Sequence, residues 1–377
     1  AIKALAARPA GEPAEDLLFL LARNQAELDE IREAARRPAA RLNGRYEDGM
    51  ELLLPQLSAL KALARPFHFS ALAHLDRADP ATAARDILVI FRLGDSLAGE
   101  PLLIAALVHI AVSDLAMQPL WEGLTRHQWS ESQLIEFESA LRGANIIEAM
   151  RRCLHGERAF AISMIGGAAD VAGIDGARLK DRDVRADARA YDRLPAPLKY
   201  QNQFHIARLF HEQLLPALDP VAGTVDLNRL ENRALAAWLG GRTPYNVFAV
   251  ALGPAISAAA RSAARAQATV NLARVAIALE RNRLEHGSLP ERPEELAPRF
   301  LDPVPPDPVT GQPLCYRRDE GDRFTLYSLG MNRQDDGGAV PVTRRNTVPT
   351  KSPLGDWVWQ NHPVTNTVVV TTAPDAE

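Results

Sequence analysis

At 377 residues, with 47% hydrophobic and 24% charged side chains, the chain has the length for two domains and the composition of a globular protein. Its 47 acidic and 43 basic residues leave a formal charge of −4 without a long Lys/Arg run, which excludes an electrostatic footprint for nucleic acid or an anionic membrane surface. The two cysteines, Cys153 and Cys315, have no CxxC spacing, so zinc-ribbon and thioredoxin-type sites are excluded as well.

Helical signals begin early. Over 15–37, Leu17, Leu18, Leu21, Leu28 and Ile31 recur at helical spacing with charged residues on the other face. A second run covers 50–64, and Pro66 is expected to end it. Asp79 before Pro80 reads as an N-cap with proline at the first helical position, and Gly99 marks that helix's end. Pro101 opens the most apolar run of the chain. His109, Ser113 and Asp114 interrupt it, which fits a buried helix better than a membrane span. Ser130 with Gln133 forms a capping-box pattern, the helix stops at Gly143, and another amphipathic run starts near Ile146. Consecutive antiparallel helices with short connections are the pattern of a bundle or a helical-repeat scaffold.

From Gly166 to Leu198 the sequence turns rich in Gly, Asp and Arg and reads as a long surface loop. Helix returns over 203–215 and 227–239. A helix is then expected from Pro254 to His286, about 50 Å long, with Gly287 as its C-terminal cap. A helix of that length requires a partner along much of its face.

The character changes again at "DPVTGQPLCYRRDEGDRFTLYSLGMNRQDDGG", residues 307–338. Pro305, Pro306 and Pro308 impose an extended approach, and Gly311 supplies a turn. "PLCYRR" and "RFTLYSL" then read as a hairpin across "DEGD". Phe324, Leu326 and Ser328 fall on one face, with Thr325 and Tyr327 on the other, and one face is expected to cover the long helix. Trp357 and Trp359 share a strand face, where packing is the plain reading and a binding surface the sharper one.

The helix end "ALERNRLEHGSLP", the "PPDPVTGQPLCY" turn, the "YSLG" strand, the "DDGG" loop and "GDWVW" together resemble the soluble domain of a type II secretion major pseudopilin, over roughly residues 265–360. Proteins of planctomycetes and verrucomicrobia that carry helical regions ahead of such a module are similar. The resemblance implies a long helix leading into a small antiparallel sheet and a calcium-binding loop. It places the ligands at Asn332, Asp335, Asp336 and Asp356. Calcium takes six to eight oxygen ligands, so these side chains suit it, whereas the plain reading is a solvated Asp/Gly turn. About 250 residues ahead of the long helix depart from the pseudopilin pattern, and Asn332 stands where the family has its first loop aspartate.

The expected fold is therefore mainly α, in four segments: a helical bundle or repeat region over 1–165, a loop-rich connector over 166–202, a helical extension over 203–253, and a long helix with a pseudopilin-like α+β module over 254–377. No GxSxG, HExxH or P-loop is present. Cys153 and His155 are two apart on a helix and point away from each other, as His205 and His211 do at six apart. Asp170, Asp175, Asp181 and Asp183 in the connector are the carboxylates a hydrolase would draw on, without a fixed pair. No catalytic residue is assigned. The resemblance implies an exported structural or interaction protein of the bacterial envelope, periplasmic or extracellular, with protein partners or self-association and Ca²⁺ as the candidate cofactor. Alternatives are a helical-repeat scaffold binding a protein partner and a carboxylate hydrolase. The chain opens on Ala1 rather than Met, which accords with a removed signal or anchor. Cys153 and Cys315 are expected to remain two unpaired thiols.

Overall fold

The computed structural model describes residues 11–40, 55–166, 195–342, 355–362 and 367–369. The protein is mainly α, with a small antiparallel sheet near the C-terminus. Two short helices, α1 (Pro13–Leu21) and α2 (Gln25–Ala34), are joined by a 3₁₀ turn where one continuous helix is expected from the sequence. They lean on α3 (Pro55–Asp76), which runs through Pro66 instead of stopping there. The reason is burial. Ala64, Phe67, Ala71 and Leu75 form a fully buried stripe on either side of Pro66, and such a stripe offsets the ~3 kcal/mol that an internal proline costs.

Asp79 caps α4 (Pro80–Asp95) by accepting from the Thr82 N–H at 3.1 Å, as its position before Pro80 implies. The apolar run forms α5 (Leu103–Thr125), hydrophobic all round and packed against α3 and α4. The Ser130–Gln133 capping box is present in full at the start of α6 (Glu131–Gly143). After α7 (Ile146–Gly166), the connector over 167–194 and its four aspartates lie outside the described residues. Helix α8 (Ala196–Arg208) passes directly into a π-helical segment (Leu209–Leu214). A two-residue hairpin of β1 (Leu218–Asp219) and β2 (Thr224–Val225) follows, then α9 (Leu227–Leu230) and α10 (Asn232–Leu239).

The long helix α11 (Val247–His286) has 40 residues, about 60 Å, and begins one to two turns earlier than Pro254 suggests. Gly287 caps it in the left-handed region at φ 74°. Its partners come from the whole chain: α5, α6, α7, α8 and α10 as well as the sheet. Polar side chains on it are buried and bonded outward. Gln267 accepts from the N–H of Ile146, Asn271 donates to the carbonyl of Pro306, and Arg274 pairs with Glu138 of α6 at 2.9 Å. By length and composition alone, α5 and α11 are both apolar enough to cross a membrane, a test that a core helix passes too, and 44% of the most apolar window of each is buried within the fold.

Strands β3 (Cys315–Arg318), β4 (Phe324–Ser328) and β6 (Trp357–Gln360) form an antiparallel sheet with β4 central. A separate parallel pair joins β5 (Val340–Val342) to β7 (Thr367–Val369). All of β4 is buried because both of its faces are covered. Phe324 and Leu326 join the main core with Trp359, and Trp357 packs beside them, so the paired tryptophans serve packing. Tyr327 and Thr325 lie beneath Gly338 of the following loop. The sheet sits on the C-terminal half of α11, where Phe324 and Trp359 meet Ala276, Glu280 and Arg283. Trp121 of α5 donates to the carbonyl of Gln360 at 2.7 Å, tying the sheet to the helical region as well.

Candidate functional site

The loop after β4 contains three of the four side chains that the resemblance singles out, Asn332, Asp335 and Asp336, and the fourth, Asp356, stands just before β6. Gly330 at φ 66° lets the chain turn so closely against Gly355 that a Cβ there would meet its carbonyl oxygen at 2.6 Å. This approach brings the start of the loop to Asp356, just before β6. Asp356 is 2% exposed, and its backbone N–H donates to the carbonyl of Ala339. One carboxylate oxygen, Oδ2, accepts from the Gly338 N–H at 2.8 Å. The other, Oδ1, is buried without a hydrogen-bond partner. Burial pushes this carboxyl up to about 6; the charges of Asp336 and Asp335 add to the rise, against the pull of the backbone N–H groups of Gly338 and Asp336.

Asp335 accepts from the Tyr327 hydroxyl at 2.9 Å and from the Gly337 N–H at 2.8 Å. Burial and that bond to Asp335 raise the Tyr327 phenol well above its ordinary value. Asp336 accepts from the side-chain amide of Asn332 at 2.8 Å, and Asn332 in turn accepts from the Gln334 N–H. The structure thus joins Asn332 to Asp336 and sets Asp335 and Asp336 close enough to Asp356 to disturb its charge. As the side chains stand, no three His, Cys, Asp or Glu residues among the described residues close on one point as metal ligands do. The oxygen-only donor set and the orphaned Asp356 oxygen suit a hard cation; the Asn332–Asp336 bond would have to open for Asp336 to turn toward it.

Asp307 is a second buried carboxylate here, beside Asp356, that sequence reading passed over as part of a turn. It is satisfied within the protein, accepting from the Ser328 hydroxyl, the Leu329 N–H and the Val309 N–H at 2.8–3.0 Å. Its work is to lock the "DPVTG" turn to the end of β4, and the proline-flanked Asp was the signal for it. Arg333, at the loop's tip, reaches across to Asn228 and to Glu231, fastening the loop to the helical region.

The other candidates resolve into structural roles. Cys153 and Cys315 are free thiols. Cys153 is buried, donates to the carbonyl of Glu100, and is pushed by burial up to about 11, far from a reactive thiolate. His155 is exposed, and Glu157 accepts from the Leu103 N–H at the start of α5. Asp319 accepts from the Thr325 hydroxyl and lies 3.2 Å from His362, while Arg317 donates to its other oxygen. The Thr325 hydroxyl also accepts from Arg317 and lies 3.2 Å from His362, and with the residue 1% exposed this cluster clasps β3 to the end of β6. Compared with known proteins, the chain matches no family model, no curated protein and no solved structure.

Proposed function

We propose that this chain is a structural or interaction protein of the bacterial envelope, with a C-terminal pseudopilin-like module that one Ca²⁺ ion holds closed. The observation that carries the calcium part is Asp356. A carboxylate that is buried, has an unpartnered oxygen and stands beside two further aspartates is unfavourable unless a cation or a proton neutralises it. Asp335, Asp336 and Asp356 would supply the charge and Asn332 an amide oxygen, and the ion would fasten the loop after β4 to the start of β6. The pseudopilin resemblance of residues 265–360 supports the exported setting. Calcium modules outside cells bind with Kd of ~10⁻⁴–10⁻³ M, so a modest site of this kind suffices there.

Much of α11 is covered by α5, α6 and α7 of its own chain. Association with partners therefore falls to other surfaces. Thermal unfolding with calcium and with chelator tests the metal reading. At a hundredfold excess over Kd the ion contributes about 2.7 kcal/mol, roughly 3–4 °C in Tm for a chain of this size. Asp356→Asn should abolish the shift and, in chelator, be no less stable than the unaltered protein, because the amide removes a buried charge. Equal midpoints with and without calcium would leave the loop a solvated turn.

A further inference from the structure

Helices α7 and α8 lie side by side and leave between them an open groove of about 630 Å³. Ala159 and Ser163 of α7 keep its floor low, with Ile162 beside them. On α8, Phe204 stands at the groove 56% exposed, and Tyr200 one turn earlier is 69% exposed. Ala207 and His211 continue that side, so the stripe from residue 200 to 211 runs about 17 Å, three helical turns. Large aromatic side chains left in water along one helix face are not explained by the fold, whose core lies on the opposite side with Ile206, Leu209 and Phe210.

The charged side chains that line the groove are both arginines, and one of them, Arg208, is already paired with Glu212 just outside the lining, which leaves Arg158 as the available cation. Its lining contains Arg158, Arg208 and His211 and no carboxylate. Arg208 is fixed, bonded twice to Glu212 at 2.8 Å and stacked between the rings of Phe204 and Trp238. Arg158 makes no ion pair among the described residues. His211 sits in the six-residue π-helical segment, a geometry that costs backbone regularity and recurs at functional sites.

We infer that the α7–α8 groove is a docking site for an amphipathic helix of a partner protein, one whose apolar stripe is flanked by acidic residues. The groove's length matches apolar anchors at i, i+4 and i+7, and its basic lining is complementary to acids beside them. A small apolar molecule fits poorly, because small-ligand pockets bury most of their ligand and this groove is open along its length. The inference deepens the interaction role proposed above and does not depend on calcium.

The test uses the whole protein and two fluorescein-labelled synthetic 18-residue helices, identical in their leucine stripe, with glutamates flanking it in one and lysines in the other. Fluorescence anisotropy should give saturable binding of the glutamate helix at least tenfold tighter than the lysine helix. Phe204→Ala should weaken it tenfold or more, and Arg158→Glu should turn the preference toward lysine. Both side chains are at the surface, and an unchanged Tm confirms that the variants fold. Equal binding of the two peptides, indifference to both substitutions, or no binding at all (the result if residues 167–194 of this chain cover the groove) overturns the inference. Sedimentation showing a dimer that Phe204→Ala dissociates would assign the face to a second copy and overturn it too. The measurements are repeated in calcium and in chelator. Lost groove binding with an intact calcium response sinks this inference alone, and the converse sinks only the calcium reading.

Discussion

Glu280 lies on α11, 5% exposed, and receives hydrogen bonds from Arg283 at 2.7 and 2.9 Å and from His127 at 2.9 and 3.0 Å. Burial alone would raise its carboxyl, but the bonds from Arg283 and His127 prevail and hold it below the ordinary carboxylate range. Between the folded value and the ordinary one near ~4.3, the unfolded chain binds more protons. The stabilisation is thus complete above that ordinary value and is lost as pH falls through the lower folded one. Glu280→Gln should cost about 3 kcal/mol at pH 7, because it leaves Arg283 short of its charge partner, and should flatten the acid side of the profile. Urea midpoints from pH 3 to 7 check both; parallel profiles for the two proteins would mean that another carboxylate governs the acid limb. Nothing near Glu280 in the sequence points to His127, which is 153 residues away. Asp335 and Asp336 were visible as a pair, whereas the burial of Asp356 beside them emerges only when β6 pairs with β4.

Helix ends were legible wherever a local hydrogen bond or a special backbone angle decides them. The Asp79 and Ser130 caps and the stop at Gly287 are of that kind, each fixed by residues within one turn. Prolines misled, because Pro66 and Pro254 both stand inside helices. At Pro254 the continuation is favoured by burial on both sides of it, with Ala249, Gly253 and Ile256 facing α10 and the π-helical segment. The sequence carries the proline's penalty locally, while the packing that outweighs it at Pro254 comes from elements 15 to 45 residues away. Gly287 gives a clean measurement of the cap. A Cβ there meets no heavy atom within 4 Å, so Gly287→Ala charges only the left-handed backbone at φ 74°. The expected loss is about 1 kcal/mol, with Gly287→Asn about half as costly, read as thermal midpoints. An alanine variant as stable as the parent would show that the helix end frays instead of being pinned.

At the scale of the molecule, residues from the first helices to the C-terminal sheet share one large hydrophobic cluster. Leu28 and Phe67 of the first helices, Leu141 of α6, Val275 of α11 and Leu326 and Trp359 of the sheet all belong to it. Helix α11 is the shared wall: its buried alanines, among them Ala259, Ala260, Ala263 and Ala264, let neighbouring helices approach closely, and its later turns carry the sheet. Periodicity shows that such a helix needs partners but not that they come from both ends of the chain. A boundary at residue 253 would strip α11 of α5, α6 and α7 and expose these faces on both pieces, at about 25 cal/mol for each Å² of apolar surface. The chain should therefore unfold as one cooperative unit. Of its five tryptophans, Trp129 reports on the helical region at 2% exposed and Trp359 on the sheet at 7%. Two variants, each keeping one of these and replacing the others with phenylalanine, should give urea midpoints within about 0.2 M of each other and of the far-ultraviolet circular dichroism transition. If calcium binds at Asp356, its addition should move the Trp129 midpoint as far as that of Trp359, although Trp129 lies in the helical region, because a ligand of the folded state stabilises the whole unit to which its site belongs. Two separated transitions, or a calcium shift confined to Trp359, would show instead that the sheet module opens independently of the helices.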